Sequence, residues 1–547
     1  MHTPETSAPN APRSWRRRLG AVSDASGAAA MLFCLIGAFV VIPLTFAGID
    51  TYLAISQKTK LQDALDAATL YAARQKSTDS GEIDLAGKRS LSANLELVGA
   101  STKELLSASF TLTNDTVVGT ATAKPGGFFN FCMFGWCVKP DLVAARAEVN
   151  RSLDKIEVAL VLDNTGSMQG QKLAVLKQAS KALLEQLEGI KETSIAVDPV
   201  RVGLVPFSMT VRPANTTSLA SYTDTNARGG LPAWLDPEGR AHREGGINND
   251  LFFDDSGTEF LDTEADRFKL MKTLGASWAG CVESRREPYD VQETPPTSGS
   301  PASYYVPFFW PDQPAPDALT RDFNDYLLDP AAGGLSKDEQ LRRVGKYIVE
   351  NIQNDGATFT QGSSYGGPLY LGPNAGCSAL QPLIRLTADF GPLEGAIDGM
   401  NAVGETNITI GLAWGWNVLS PQGPFGDGRA YTEEHLKKIV VLMTDGENTF
   451  NGQIYGGLGY SWQGALPGSG SYTARMNTRL AELCMNMKAQ GILLYTVRLE
   501  VAAGASEVLK TCATDPEQMF YDVQSADQLV GVFRDIGASI AAMRLSR

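Results

Sequence analysis

Two short segments of the sequence carry carboxylate and hydroxyl side chains at spacings that suit a divalent cation. The first, D-N-T-G-S-M, places Asp163, Thr165 and Ser167 at alternate positions. Asp445 stands in the second, T-D-G-E-N, and Thr406 lies between the two in G-E-T-N. Hard cations prefer such oxygen ligands, so we expect Mg²⁺, or else Mn²⁺ or Ca²⁺. Because two carboxylates leave the cation incompletely neutralised and with an open position, we predict that it accepts a carboxylate from a partner protein.

The elements that must position these residues are predicted to be parallel strands of one sheet. Ile156 to Leu162 and Ile439 to Met443 are continuous apolar runs, as in buried parallel strands, and each ends just before a carboxylate-bearing segment. Open α/β proteins place their sites where such strands end. We therefore predict an α/β fold with a mostly parallel, Rossmann-like sheet that also contains Val200 to Phe207 and Ile492 to Leu499. An amphipathic helix is predicted from Ser525, where S-A-D-Q resembles a capping box.

The N-terminal region contains an uncharged apolar segment of membrane-spanning length. Residues 28–47 would extend about 30 Å as a helix, which matches the thickness of a bilayer core. Residues 1–27 are basic close to this segment, which predicts a cytoplasmic N-terminus and a periplasmic or surface-facing body. We favour an uncleaved single-pass anchor in the inner membrane, and a cleaved secretory signal is the alternative. The arginines concerned are Arg13, Arg16, Arg17 and Arg18.

Changes in pattern divide the rest of the chain into two predicted parts. Residues 48–150 continue the helix and then contain three short strands, which predicts a small α+β module. Residues 151–547 form the α/β domain, with a long insertion at about 212–378 and a small one at about 451–471. The net charge of −14 argues against nucleic-acid binding, and a total of three histidines excludes a multi-histidine zinc site. The predicted strands of the module are Leu105 to Leu112, Val117 to Ala123 and Leu142 to Val149.

The seven cysteines indicate disulfides in the body of the protein. Cys34 lies in the apolar N-terminal segment, and the other six could form up to three bonds. An extracytoplasmic body favours disulfides, since they persist in oxidising compartments, and the alternative is six buried thiols in a cytosolic protein. Sequence does not fix the connectivity. Our hypothesis pairs Cys132 with Cys137, Cys281 with Cys377, and Cys484 with Cys512.

The two oxygen-rich segments resemble the metal-ion-dependent adhesion site of von Willebrand factor type A domains. The pattern of that site is D-x-S-x-S, followed by a distant Thr and a later Asp. Asp163, Ser167, Thr406 and Asp445 stand at its positions, and Thr165 replaces a Ser with its hydroxyl retained. The resemblance implies that the three hydroxyl groups bind the metal directly. It also implies that the aspartates act largely through water or by orienting other ligands.

A wider resemblance links the chain to bacterial TadE/TadG-like proteins of Flp pilus assembly. The basic stretch, the AAAMLF-type anchor and L-Q-D-A-L-D-A-A-T-L-Y-A-A are similar to their N-termini, and TadG-like members join such an anchor to a type A domain. Later blocks such as WAGCVESR and GLAWGWNVLSP are also similar. Gly27 is followed by Ala28 to Leu32, without the Glu that follows the cleavage-site Gly of pseudopilins. The resemblance implies a non-enzymatic binding protein that assists assembly or anchoring of an adhesive pilus, with pilus components as partners.

Two other functions are compatible with parts of the sequence. The chain could be a structural scaffold or minor pseudopilin with a non-functional metal site, in which Tyr304 to Trp310 is either the main contact or buried under the insertion. A serine hydrolase is least favoured, because Ser364 fits G-x-S-x-G only in a Gly-rich stretch and His435 is predicted on a solvated helix. The aromatic loop Phe128 to Trp136 is predicted either to contact membrane or a partner, or to form a disulfide-tied core.

Overall fold

The computed structural model divides the chain into two units, Met1–Arg151 and Ser152–Arg547. The residues that it describes are 25–75, 77, 79–97, 105–113, 116–124, 132–133, 136–137, 142–151, 154–194, 196–213, 232–236, 267–314, 323–328, 334–347, 370–500 and 507–545. The N-terminal arginines, the sequence around Ser364 and most of the Phe128 to Trp136 loop lie outside this part of the chain. The expectations stated for them therefore stay predictions.

One long helical segment opens the first unit. Helix α1 spans Ala25–Ile36, a π-helical turn covers Gly37–Val41, and helix α2 spans Ile42–Ala73. The π-helical turn ends two residues before Pro43, whose missing N–H cannot bond to the carbonyl four residues earlier. Among the described residues, Ala30–Ala73 is the one helix long and apolar enough to cross a membrane. The predicted span at 28–47 overlaps it.

The second half of α2 packs in a small α+β module. Helix α3 and an antiparallel sheet of order β1-β2-β5 share one core with α2, centred on Leu65, Leu91 and Phe110. Gly87 on α3 allows this packing, because a Cβ there would lie 2.3 Å from the Phe110 ring. The three strands predicted from sequence are present. The elements are α3 Ser80–Leu97, β1 Leu105–Thr113, β2 Thr116–Ala123 and β5 Val143–Asn150, with the short strands β3 Cys132–Met133 and β4 Trp136–Cys137 between β2 and β5.

The second unit contains a six-stranded sheet of order β11-β10-β9-β6-β7-β8. All neighbouring strands are parallel except β8, which pairs antiparallel with β7 at one edge. This doubly wound order, with β6 and β9 at its centre, confirms the predicted Rossmann-like α/β fold class. The strands are β6 Lys155–Asp163, β7 Val200–Phe207, β8 Ile384–Thr387, β9 Leu436–Thr444, β10 Leu493–Leu499 and β11 Phe520–Val523.

Each face of the sheet is covered, because its side chains alternate between two cores. Helices α4, α7 and α11 pack on the face that carries Val158 and Leu160. Helices α8 and α9 and much of the insertion pack on the face that carries Ala159 and Val161. The helices are α4 Gln171–Thr193, α5 Arg267–Thr273, α6 Lys337–Arg342, α7 Gly391–Asp398, α8 Ile408–Leu419, α9 Tyr472–Ala489, α10 Val508–Cys512 and α11 Leu529–Leu545.

The described parts of the long insertion belong to the core. Trp278 and Tyr326 are fully buried there, and so are Phe308 and Trp310. The alternatives for the aromatic segment Tyr304 to Trp310 are therefore resolved in favour of burial from Tyr305 onward. Two predicted disulfides are confirmed, Cys281–Cys377 inside the insertion and Cys484–Cys512 between α9 and α10.

The third predicted disulfide concerns β3 and β4. The backbone register of these two strands places Cys132 opposite Cys137. Their side chains lie outside the described part, so this bond stays a prediction.

Two local expectations are wrong. His435 is not on a helix but in a turn before β9, with a left-handed backbone (φ 61°) and its carbonyl accepting the Lys155 N–H at 2.8 Å. This bond ties the turn to β6. The capping box at Ser525 does not form, because the Ser525 hydroxyl bonds to Asp527. The Ala526 N–H donates instead to Glu500 Oε1 at 2.9 Å.

Candidate metal site at the carboxyl edge of the sheet

Strand β6 delivers Asp163 to the carboxyl edge of the sheet, where the side chain is fully buried. Its Oδ1 atom accepts the Thr165 N–H at 2.7 Å, which folds the following loop back over the strand end. Two backbone bonds join that loop to the one that carries Thr406. The Gly166 N–H donates to the Gly404 carbonyl at 3.0 Å, and the Val403 N–H donates to the Asn164 carbonyl at 2.7 Å. Segments about 240 residues apart in sequence thus form one edge.

Three of the predicted ligands are joined by side-chain hydrogen bonds. The hydroxyl oxygens of Thr165 and Ser167 are 2.9 Å apart, and the Ser167 hydroxyl donates to Asp445 Oδ1 at 2.6 Å. Asp445 follows β9, which is the parallel neighbour of β6, so its carboxylate arrives at the same edge as Asp163. The Thr444 hydroxyl links the two strands, because it donates to Asp163 Oδ2 at 2.6 Å.

Thr406 lines the same cavity as Thr165 and Ser167. Its N–H donates to the Thr449 hydroxyl at 2.8 Å, and its carbonyl accepts the Thr449 N–H at 2.9 Å, so the loop is held on both sides. The cavity has a volume of about 510 Å³, and its other walls come from the insertion, from the loop after β9 and from the Thr406 loop itself. Those walls include Phe323, Tyr370, Glu405, Asn451 and Ile454.

The electrostatics of the site favour a cation. Burial, and then the nearby Asp445 carboxylate, raise the pKa of Asp163 to about 6. Hydrogen bonds from Thr444 and Thr165 oppose that rise but do not cancel it. Two carboxylates that share a buried site repel each other, and an ion that binds both relieves this cost.

Lys172 is a member of the site that sequence reasoning missed. Its Nζ atom lies 2.8 Å from Asp445 Oδ2 and 3.5 Å from Glu500 Oε2. Burial lowers the pKa of Lys172, but the hydrogen bond to Asp445 and the charges of both carboxylates raise it overall. The signal in the sequence is a lysine in the first turn of the helix that follows D-N-T-G-S-M, where acidic residues are preferred.

The donor set fits a hard divalent cation. No group of three or more His, Cys, Asp or Glu side chains that could hold a metal occurs among the described residues, so a soft or multi-carboxylate site is not indicated there. The edge instead offers two carboxylates and three hydroxyls, an all-oxygen set of the kind that Mg²⁺ prefers. The raised pKa of Asp163 shows that the protein alone does not fully stabilise its negative charge.

His435 lies at the amino end of β9, opposite to this edge. Its Nδ1 atom is 3.8 Å from Asp154, and the side chain is about a third exposed. The described geometry therefore separates His435 from the oxygen-rich loops. The hydrolase hypothesis also needs Ser364, which lies outside the described residues, so it stays a prediction.

Comparisons with known proteins find a family match and several structural likenesses. The Flp pilus-assembly TadE/G-like family model matches residues 27–75. The search of curated proteins gives no match. The pilus adhesin SpaC from Lactobacillus rhamnosus GG is 11% identical, with a TM-score of 0.28, over 79% of this chain and 34% of its own length. This chain thus spans about a third of that adhesin.

Two further structures resemble the chain at a similar level. The vWF domain of the type V pili tip protein Mfa5 from Porphyromonas gingivalis is 11% identical over 71% of this chain and 96% of its own, with a TM-score of 0.29. Proximal thread matrix protein 1 of the mussel byssus, solved with a zinc-occupied MIDAS motif, is 12% identical over 71% and 96%, with a TM-score of 0.19. The family match, in contrast, rests on the amino-acid sequence of residues 27–75. Residues 27–75 are therefore a TadE/G-like segment, of the kind that the family description assigns to Flp pilus assembly.

Proposed function

We propose that this is a membrane-anchored extracytoplasmic binding protein that assists assembly or anchoring of an adhesive Flp/Tad-type pilus through a divalent-metal-dependent protein contact. The observation that carries the proposal is that Thr165, Ser167 and Thr406 line one cavity of about 510 Å³. Asp163 accepts the Thr165 N–H and Asp445 accepts the Ser167 hydroxyl, so both carboxylates bond to residues of this lining. The TadE/G-like segment supports the connection to pilus assembly. Non-enzymatic binding is part of the proposal, and the description of the matching family, which names pilus assembly, supports it.

In this proposal the metal joins the two proteins. Thr165, Ser167 and Thr406 hold the cation directly, and the two aspartates balance its charge through water or by orienting the hydroxyls. Mg²⁺ is the first candidate, with Mn²⁺ and Ca²⁺ as alternatives. When bound, the cation supplies an open position for a carboxylate of the partner.

The insertion supplies selectivity for that partner. Its Phe323 and Tyr370 residues line the same cavity as the hydroxyl ligands. The Tyr370 hydroxyl accepts the Gly404 N–H at 2.7 Å, which ties the insertion to the Thr406 loop. A partner must therefore present its acidic side chain on a segment that fits a cavity of about 510 Å³ with aromatic lining residues, as a protruding loop or terminus would.

The N-terminal helix and the disulfides support the membrane arrangement in this proposal. Ala30–Ala73 is apolar enough to cross a bilayer, and the basic residues before it favour a cytoplasmic N-terminus. The Cys281–Cys377 and Cys484–Cys512 bonds agree with a periplasmic or surface-facing body, since disulfides persist in oxidising compartments. We place the anchor in the inner membrane.

One observation favours the alternative of a scaffold or minor pseudopilin with a non-functional metal site. The Lys172 ammonium already gives Asp445 a counter-ion within the protein. Under this alternative, changing Asp445 to alanine leaves pilus assembly and adhesion intact in cells, whereas deleting the insertion abolishes both. Under the proposed function, the Asp445→Ala variant loses adhesion.

Thermal unfolding of the full-length protein in detergent tests the metal contact. We expect Mg²⁺ or Mn²⁺ at 100 times its Kd to stabilise the wild type by about 2.7 kcal/mol over the EDTA-treated sample. Asp163→Ala and Asp445→Ala remove this gain. Asp398→Ala is the matched control, because that exposed carboxylate pairs with Lys181 away from the site and its loss leaves the gain intact. No gain in the wild type, or an equal gain in all variants, would contradict the proposal.

A further inference from the structure

Lys172 stands at a position that helix electrostatics disfavour. It is the second residue of α4, and the first turn of this helix contains no acidic residue. The amino end of a helix carries a partial positive charge, so a cation there is unfavourable unless other groups compensate it. Compensation comes from carboxylates outside the helix, which indicates that the position of Lys172 is determined by the site and not by α4.

Two carboxylates lie on either side of the Lys172 ammonium. Asp445 Oδ2 is 2.8 Å from Nζ, and its side chain is fully buried. Glu500 Oε2 is 3.5 Å from Nζ, and its side chain is about a third exposed. The Lys172 side chain is 26% exposed, so it has room to shift between the two acceptors. One ammonium group is thus within reach of two carboxylates at the same edge of the sheet.

Glu500 is fixed by bonds that do not involve Lys172. It follows β10 with a left-handed backbone (φ 52°), and its N–H donates to the Val523 carbonyl at 2.7 Å. Its Oε1 atom accepts the Ala526 N–H, which leaves Oε2 to face the ammonium. A non-glycine residue adopts this backbone only when its surroundings over-determine it. Glu500 is therefore a second acceptor held ready beside Asp445.

We propose that Lys172 sets the cation affinity of the site by competing with the metal for Asp445, and that Glu500 receives the ammonium when the metal binds. This inference rests on the proposed metal function. A divalent cation near Asp445 repels an ammonium 2.8 Å from the same carboxylate, and opposite charges attract the ammonium to Glu500. When the cation leaves, Lys172 returns and neutralises Asp445. Lys172 acts here as a positioning residue, because it touches the ligand and not the metal.

The test measures Mn²⁺ affinity of the full-length protein in detergent, from the electron paramagnetic resonance signal of free Mn²⁺. Lys172→Met removes the competing charge, so we expect about tenfold tighter Mn²⁺ binding, equivalent to ~1.4 kcal/mol. The same variant melts about 3 °C lower in EDTA, because Asp445 then lacks its counter-ion. Mere structural damage would weaken Mn²⁺ binding, so the opposite signs of the two effects identify competition.

Two further variants sharpen the assignment. Glu500→Gln keeps the acceptor for Ala526 but removes the second carboxylate charge, so we expect Mn²⁺ binding about threefold weaker. When Glu500→Gln is combined with Lys172→Met, we expect it to have no further effect on Mn²⁺ affinity, because the double variant has no ammonium for Glu500 to accept. Lys181→Met is the matched control on the same helix, since it removes an ion pair with Asp398 and leaves Mn²⁺ affinity unchanged.

The outcomes separate this inference from the proposed function. If the wild type binds Mn²⁺ and Lys172→Met binds it with equal or lower affinity, the inference is overturned and the metal function stands. If only Lys172→Met binds Mn²⁺, the inference holds in its strongest form, with Lys172 blocking the site. If neither protein binds Mn²⁺, both ideas fail and Lys172 is a permanent structural partner of Asp445.

Discussion

Strand β6 carries a buried carboxylate near each of its ends, and the two have opposite surroundings. Glu157, near the amino end, accepts hydrogen bonds from Lys438 Nζ at 2.7 Å, from the Arg201 guanidinium and from the Arg429 N–H. Asp163, at the carboxyl end, accepts bonds from a backbone N–H and the Thr444 hydroxyl, and it lies close to Asp445. Both side chains are fully buried.

The two environments shift the pKa values in opposite directions. Burial by itself raises the pKa of Glu157, but the charges and hydrogen bonds of Lys438 and Arg201 outweigh it, so the pKa is lowered. Burial and a second carboxylate raise the pKa of Asp163 to about 6. In the proposed function, one strand serves stability at one end and binding at the other, since only the carboxylate that lacks full compensation attracts an added cation.

Of the changes at the two ends of β6, Glu157→Gln is expected to lower the free energy of unfolding the most. It leaves Lys438 and two arginines around a neutral side chain, and loss of one partner from a buried ion cluster costs about 4 kcal/mol. Guanidinium unfolding followed by tryptophan fluorescence measures it, because six of the eight tryptophans lie in residues 152–547. Glu433→Gln, in a partly exposed pair with Lys155, is the control and should cost less than about 1 kcal/mol. Equal costs would show that Glu157 has no special role.

Asp163→Asn should leave stability in EDTA intact and remove the stabilisation by Mg²⁺, in contrast to Glu157→Gln. In EDTA the variant is as stable as the wild type or slightly more so, because the repulsion from Asp445 is removed and the Thr444 hydroxyl can turn to the Gly446 carbonyl at 3.2 Å. Its gain from Mg²⁺, about 2.7 kcal/mol in the wild type at 100 times Kd, is lost. Calorimetric melting with and without Mg²⁺ measures both effects. A large loss of stability in EDTA would place Asp163 in the same class as Glu157.

The pH dependence of stability in EDTA should also distinguish Asp163 from Glu157. Because the folded pKa of Asp163 is raised, the native state binds the proton more tightly, so stability increases as pH falls from 7 to 5. The expected gain is about 1 kcal/mol relative to Asp163→Asn, measured by unfolding of both proteins at each pH. Glu157 has a lowered pKa, so its contribution is present above the unfolded value and is lost as pH falls through the folded value, below 4.5. A wild type that follows Asp163→Asn across pH 5–7 would contradict the assignment.

Thr165→Ser is the substitution at the proposed metal site for which we expect the smallest effect. It keeps the hydroxyl 2.9 Å from Ser167 and removes a buried methyl, so stability in EDTA falls by about 0.8 kcal/mol. The gain from Mg²⁺ stays the same, whereas Thr165→Val, of nearly unchanged volume, reduces it. Melting curves of the three proteins with Mg²⁺ decide the matter, and an unchanged gain in Thr165→Val would remove Thr165 from the ligand set.

Strong, continuous patterns made the central part of the fold predictable. The apolar runs of β6, β7, β9 and β10 gave strand positions within a few residues, and the rule for carboxyl edges brought the loops of Asp163 and Asp445 together. Strand β8 was missed because it is four residues long, lies at the edge and carries polar side chains. Strand β11 was missed for its shortness as well.

The chemistry of the site was only partly visible in sequence. Hydroxyl and carboxylate ligands follow a local spacing, so Thr165 and Ser167 could be found. For Lys172 the sequence offers only its place in the first turn of α4, because its role depends on the arrival of Asp445 and Glu500 from two other strands. His435 was misplaced because Y-T-E-E-H-L-K-K has helical composition, whereas pairing with β6 draws the chain directly into β9. Tertiary contacts override local propensity at such points.

The Cys281–Cys377 disulfide closes a ring in the chain, with a sequence separation of 96 residues. Phe323 and Tyr370, which form part of the cavity wall, both belong to that ring. A protease that cuts a single peptide bond within the ring opens it but leaves both new ends covalently attached to the sheet. Release of a fragment requires a second cut or reduction of the bond. A single cut beside this cavity therefore leaves every part of the ring, with both of its wall residues, covalently tethered to the rest of the chain.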